Sequence, residues 1–244
     1  MAKEWFEDWF NSPFYHKLYQ NHDSKEACLF VDNLFSYFNP SVPSFVLDLA
    51  CGKGRFSNYI SEKGHIVTGL DLSEKSIEIA NQKSNQNLEF YCHDMRFPFR
   101  INYYDFVFNF FTSFGYFAKI ADNIKTLKSV NLGIKKGGYF VLDFFNSEYI
   151  IQNLVKSEVK VIDGTRFEIS KWIEDEKVFK KIDFLDGEKS YTFTEKVQLL
   201  KLADFQTMFK IANFEIIDIF GDYDLNSFDK IQSKRLIIIS KKVC

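Results

Sequence analysis

The sequence is poor in the features that staple a chain, anchor it or give it a strong field. Its four cysteines, Cys28, Cys51, Cys92 and Cys244, are scattered with neither a CxxC pair nor a zinc-ligand spacing, so they read as reduced thiols in a cytoplasmic protein, and no metal is expected. No block of five or more like charges occurs and the formal net charge is −2. That withholds the concentrated positive field on which nucleic-acid and anionic-membrane binding depend. No apolar run approaches the ~20 residues that span a bilayer. The opening "MAKEWFEDWFNSPFYHKLY" is broken by Glu4, Glu7 and Asp8 and has no small-residue cleavage site, so it does not read as a secretory signal. These absences leave a small molecule as the expected partner.

What is abundant is aromatic: 29 Phe and 12 Tyr in 244 residues, most of which must be core. From Ala27 to Phe38 apolar residues recur at helical spacing until Asn39-Pro40 stops them. "SFVLDL" then reads as a buried strand and "HIVTGLDLS" as a second, with a helix between them closed by Gly64. Ser73 is placed to cap the next helix. "LEFYCHDM", "DFVFNFF" and "YFVLDFF" supply three further strands, the last preceded by a helix expected to end at Gly137-Gly138. Strand and helix alternate through short connections, which predicts a doubly wound α/β sheet whose strand C-terminal ends line one ligand-binding edge.

After about Val155 the pattern changes to period-2 stretches such as Phe167/Ile169 and Tyr191/Phe193, separated by the turn dipeptides Asp163-Gly164 and Asp186-Gly187. An antiparallel β insertion is expected there. A helix near Leu199 to Ala212 and strands at "FEIIDIF" and "RLIIIS" would complete the main sheet. The expected organisation is therefore an N-terminal helical cap over 1–40, a core of 41–155 and 200–244, and an insertion of 156–199 serving as substrate cover or dimer surface.

The segment "VLDLACGKGRFS" carries the first chemistry. Asp48 ends an apolar strand, and Ala50-Cys51-Gly52-Lys53-Gly54 turns into a helix. A dinucleotide fingerprint wants a third glycine where this chain has Ser57, and no phosphate-loop G-K-[ST] follows. Two glycines alone also fit a bare tight turn. Asp71, 23 residues after Asp48, ends the second strand, where an acid can accept both hydrogen bonds of a ribose diol or simply face a helix N-terminus. Asp94 follows the third strand and can take an adenine amine, with Met95 against the ring, or be an exposed turn acid. The fourth strand runs into Asn109-Phe110-Phe111-Thr112, without the two prolines that base-directed amino-methyltransferases place there. Asp105 precedes that strand's apolar run and is expected at the far end of the sheet.

Together "FYHKLYQNHD", "LDLACGKGRFS", "GLDLS", "HDMRFPF", "NFFTSFGYF" and the closing "GDYD" resemble the class I S-adenosylmethionine-dependent methyltransferases, in particular a bacterial small-molecule group related to the sugar N-methyltransferases. The resemblance implies a Rossmann-like methyltransferase sheet, S-adenosylmethionine as cofactor and S-adenosylhomocysteine as product. It implies cofactor contacts from Asp48, Ala50, Cys51, Gly52 and Gly54, from Asp71, Leu72 and Ser73, from Asp94 and Met95, and from Asn109 and Phe110. Tyr15, Tyr19 and His22 would close over the cofactor, His22 standing where the group usually has an arginine. A neutral imidazole lacks that arginine's bidentate fork. Tyr19 and Tyr116 are the candidate catalytic side chains, although Tyr15 and Tyr19 also suit an ordinary amphipathic helix and Tyr116 a core aromatic. Asn146 is expected either in the same cavity or as a helix cap, and no His/Asp or Lys/Glu pair demands a base role.

The expected reaction is in-line methyl transfer to a nitrogen or oxygen of a small acceptor. A non-catalytic cofactor-binding partner subunit and a nicotinamide-dependent oxidoreductase are the alternatives, and a homodimer is compatible with the insertion.

Overall fold

The structure, a computed structural model, describes residues 4–19 and 24–243. Two short helices, α1 (Trp5–Phe10) and α2 (Pro13–Leu18), precede the long α3 (Ser24–Phe38). The alternating core follows as β1 (Phe45–Leu49), α4 (Arg55–Glu62), β2 (Ile66–Asp71), α5 (Glu74–Ala80), β3 (Leu88–Cys92), β4 (Tyr104–Asn109), α6 (Ile120–Gly133) and β5 (Ile134–Phe145). After α7 (Ser147–Asn153) come β6 (Ser157–Ile162), β7 (Thr165–Glu174), β8 (Lys177–Asp186) and β9 (Lys189–Gln198). The chain then closes the core with α8 (Leu202–Ile211), β10 (Phe214–Phe220) and β11 (Arg235–Lys242).

The main sheet has seven strands in the order β10-β11-β5-β4-β1-β2-β3, with β1 to β5 parallel and β11 antiparallel to both β5 and β10. Both faces are covered, so its strands read as continuous apolar runs. Alternate residues serve opposite layers. Leu47, Val107 and Leu142 pack with α6 and α8, whereas Val46, Phe106 and Val141 pack with α3, α4 and α5. The doubly wound α/β fold expected from the sequence is therefore present, together with the antiparallel insertion after the fifth strand, a separate sheet of order β6-β7-β8-β9.

Local chemistry departs from expectation in two places. The helix before β5 ends at Gly133, and Gly137-Gly138 lies inside the strand. Gly137 has φ +79 and a Cβ on Gly138 would stand 2.8 Å from the Asp105 carbonyl oxygen, so these glycines serve a strand irregularity rather than a helix end. In the insertion, Asp163-Gly164 makes the expected turn, but a second tight turn uses Asp175 (φ +46) and Glu176 (φ +56) without glycine.

The inner face of the insertion packs Phe167, Ile169, Ile182 and Phe184 against Trp9 and Leu18 of the N-terminal helices. Insertion and N-terminal segment thereby form one cover above the C-terminal edge of the parallel strands. Among the described residues no helix is long and apolar enough to cross a membrane.

Candidate active site

At the end of β1 the Asp48 side chain is almost wholly buried (1% exposed) and accepts a hydrogen bond from the Ser57 hydroxyl at 2.5 Å. Burial pushes its pKa up from 3.8 to about 6, against the pull of Ser57. Beyond it Ala50 (φ +63), Gly52 (φ +55) and Gly54 (φ +73) are all left-handed. The two glycines are required for different reasons. A Cβ on Gly54 would stand 2.4 Å from the Phe90 ring, a packing constraint, whereas a Cβ on Gly52 would meet nothing within 4 Å. Gly52 thus borders open space, and its N–H donates to Asp71 Oδ2 at 2.8 Å.

Asp71 joins the loops after β1 and β2, because its Oδ1 accepts from the Ser73 N–H at 2.8 Å while Oδ2 holds Gly52. Burial raises its pKa and these backbone donors oppose the rise. Next to it lies a narrow lobe of about 110 Å³, walled by Leu72, Met95, Phe117 and the edge of Asp94. Asp94 is not an uncommitted acceptor. Arg96 donates from Nε to both carboxylate oxygens (3.1 and 2.9 Å) and from Nη2 to Oδ2 (2.7 Å). Burial pushes the Asp94 carboxyl up, but these hydrogen bonds outweigh it and hold the pKa below the ordinary value.

A second lobe of about 740 Å³ opens between the sheet edge and the cover. Phe10, Tyr15, Ala50, Gly52, Ser113 and Tyr116 line both lobes, so the two adjoin at a waist made by these residues. Tyr116 donates its hydroxyl to the Thr112 carbonyl at 2.6 Å. Tyr19 donates to Glu195 Oε1 at 2.6 Å and receives a hydrogen bond from Lys180 Nζ. Burial, first of all, drives both phenols well above their usual pKa. His16 also lines the larger lobe, and burial lowers its pKa to about 4, which keeps the ring neutral.

Of the residues singled out in the sequence, Tyr15, Tyr19, Asp48, Cys51 and Phe110 line the larger lobe, and Asp71, Leu72, Asp94 and Met95 the smaller. Three expected cofactor contacts lie off the cleft surface. Gly54 is turned toward Phe90, Ser73 caps α5 and binds Asn11 Oδ1, and Asn109 is buried with its amide donating to the Leu49 carbonyl. Asn146 is a cap: it accepts from the Glu148 N–H and donates to the carbonyls of Lys230 and Ser233. His22 lies outside the described residues. Asp105 is at the far end of the sheet, accepting from the Phe45 N–H at the start of β1. Among the described residues no cluster of metal-ligating side chains occurs.

Lys180 and Glu195 escaped the sequence reading. They belong to the insertion, and the only signal for them was a charge at positions whose neighbours two residues away, Ile182 and Phe193, face inward.

The family described as "Methyltransferase domain" matches residues 46–138, which hold the segment from Asp48 through β4. YqeM, a methyltransferase-family protein of Bacillus subtilis, is 30% identical over 195 residues, covering 69% of this chain and 76% of its own. In overall structure the chain is similar to an S-adenosylmethionine-dependent methyltransferase from Clostridium acetobutylicum, with a TM-score of 0.80, 24% identity and coverage of 95% and 97% of the two chains. It is also similar to an amino pentose methyltransferase from Micromonospora echinaspora, with a TM-score of 0.72, 14% identity and coverage of 95% and 98%.

Proposed function

The chain belongs to the class I S-adenosylmethionine-dependent methyltransferase superfamily, and on that premise we propose that it transfers a methyl group from S-adenosylmethionine to a nitrogen or oxygen of a small acceptor. The observation that carries this reading is the pair of adjoining lobes, in which the narrow one sets the Asp71 carboxylate beside the apolar walls of Leu72 and Met95, and Tyr15 and Tyr116 stand where it meets the larger one.

The residues present fit the cofactor. Asp71 offers a carboxylate at a strand end, Gly52 leaves room for close backbone approach, and Leu72 and Met95 provide apolar walls. Asp48 is the acid that would face the cofactor's ammonium, and an arriving cation would draw its raised pKa back down. When bound, the cofactor supplies a sulfonium-activated methyl group, already a good electrophile. The protein's contribution is then chiefly to position the acceptor in line and to exclude water, a type of catalysis for which effective molarities reach ~10⁵–10⁸ M. Tyr116, fixed by Thr112, and Tyr19, fixed by Glu195, are the side chains that would orient the acceptor at the waist. Residues 1–40 and 156–199 act in this reading as cofactor cap and substrate cover.

Calorimetric titration with S-adenosylmethionine, S-adenosylhomocysteine and NAD tests the proposal, with Asp71→Ala as control. Binding of the first two that collapses in the variant is expected. Failure of both to bind, or a clear preference for NAD, refutes it.

A further inference from the structure

The inner face of the insertion sheet changes character along its length. Near the N-terminal helices it is apolar, with Phe167 and Ile169 on β7, Ile182 and Phe184 on β8, and Tyr191 and Phe193 on β9. Two residues further along each of these strands, on the same face, stand Lys171, Lys180 and Glu195, all lining the larger lobe. Beyond them Val178 and Val197 restore apolar character. One strip of charge therefore crosses an otherwise apolar face, directly over the cavity.

The order of signs in that strip is informative. Lys171 stands directly opposite Lys180, and Lys180 directly opposite Glu195. Glu158 on β6 stands opposite Ile169 and reaches Lys171 diagonally, its Oε1 2.7 Å from Lys171 Nζ, while Glu195 Oε2 is 3.6 Å from Lys180 Nζ. By side-chain contact the order is acid, lysine, lysine, acid. Like charges directly opposite on paired strands repel, and alternating signs would knit the same four positions together at lower cost. Burial lowers the Lys180 pKa, Glu195 opposes that, and Lys171 pushes it the same way as burial. Each central lysine thus has one carboxylate and one lysine beside it.

The opposite wall adds a lysine. Lys53 also lines the lobe, so Lys53, Lys171 and Lys180 stand with Asp48 and Glu195 in its wall, and Glu158 pairs Lys171 from beside it. Asp48 lies at the deep end, where the proposed function assigns it to the cofactor's ammonium. Toward the acceptor the field is then positive, and a low-dielectric cleft concentrates such a field.

We propose that the methyl acceptor is an anion, a small molecule whose carboxylate or phosphate is received between Lys171 and Lys180 on the inner face of the four-stranded sheet. This names the acceptor class of the methyl-transfer reading and rests on it. Lys180 also donates to Tyr19, so the anion would be anchored beside the tyrosine proposed to orient the acceptor. Phe111, Phe145 and Trp5 line the same lobe and would cover the apolar body of the molecule.

The test titrates benzoate, phenyl phosphate and the neutral benzyl alcohol into the full chain by calorimetry, with and without S-adenosylhomocysteine. Both anions, or the one whose chemistry the site prefers, are expected to bind about tenfold or more tighter than the alcohol. Lys171→Gln should erase that preference and Lys171→Arg should retain it. Absence of anion binding, equal binding of anions and alcohol, or a preference that survives Lys171→Gln overturns the proposal. Failure of S-adenosylhomocysteine to bind, with the anion preference intact in its absence, counts against the cofactor reading alone.

Discussion

Arg235 holds Asp143 in a largely buried ion pair, with Nη2 2.6 Å and Nε 2.7 Å from Oδ1. The other carboxylate oxygen accepts from the Phe111 N–H at 2.8 Å and the Tyr223 hydroxyl at 3.1 Å, and Arg235 also donates to Thr112 Oγ1 at 3.0 Å. The pair thus fixes the loop after β4, where Phe111 (φ +55) and Thr112 (φ +58) are consecutive left-handed residues without glycine. Each such residue costs roughly 1–2 kcal/mol, so the loop needs an external clamp.

Arg235→Met should therefore destabilise the fold by about 3–5 kcal/mol, because Asp143 is left buried without its partner. Urea unfolding measures the loss. A change under about 1 kcal/mol would mean that the carboxyl finds other compensation.

The glycines of the first loop should separate cleanly. Gly54→Ala places a Cβ 2.4 Å from Phe90 at φ +73 and should lower the melting temperature strongly. Gly52→Ala meets no protein atom within 4 Å and should cost the fold only about 1–2 kcal/mol of left-handed strain, while obstructing the cleft and abolishing S-adenosylhomocysteine binding. Scanning calorimetry and titration of both variants decide this. Equal losses of stability, or intact binding by Gly52→Ala, would contradict the assignment.

The fold was legible because both faces of the main sheet are buried, which turns β1, β2, β4 and β5 into apolar runs that glycine and polar turns punctuate. The strand-end acids Asp48 and Asp71 were legible for the same reason, each being a charge in an apolar run. Ser73 was legible as a helix cap, whereas the backbone role of Asn109, whose amide donates to the Leu49 carbonyl, was not, because a polar residue at the binding edge can serve ligand or backbone. Lys180 and Glu195 were hidden by distance, since they meet Tyr19 across 161 and 176 residues of sequence. Only strand register brings them together, and an alternating polar strand does not announce which of its faces is covered.

The raised pKa of Asp48 fixes the sign of a pH effect. With a folded value of about 6 against an ordinary 3.8, the native state binds the extra proton between those values, so stability contributed by this group is full below about pH 3.8 and declines as pH rises to about 6. The decline is roughly 3 kcal/mol, relative to Asp48→Asn measured in parallel. Denaturant titrations of both proteins from pH 4 to 7 should show the wild type losing ground to the variant on the way up. If the cofactor's ammonium meets this carboxylate, S-adenosylhomocysteine binding near pH 6 should also release protons, seen as a buffer-dependent binding enthalpy. A buffer-independent enthalpy would place the ammonium elsewhere.

Glu195 ties the insertion to the N-terminal helices at one end of their contact, as Lys17 does at the other by donating to the Asp163 carbonyl and Thr165 Oγ1. Glu195 Oε1 accepts from the Trp9 indole N–H at 2.7 Å and from the Tyr19 hydroxyl at 2.6 Å, and its charge faces Lys180. Glu195→Gln keeps the size of the side chain but removes the charge, and hydrogen bonds to charged groups contribute about 1.5–3 kcal/mol. Because Trp9 and Leu18 still pack on Phe167 and Ile182, global stability should fall modestly while local opening of α1 and α2 becomes easier. Hydrogen exchange should accelerate in residues 5–18 and remain unchanged in β1 and β4. Tyr19→Phe should show the same local acceleration to a smaller degree, since one of the donors to Glu195 is lost and the other kept. If exchange rises uniformly across the chain in Glu195→Gln, the N-terminal helices belong to the cooperative core and Glu195 is not such a tie.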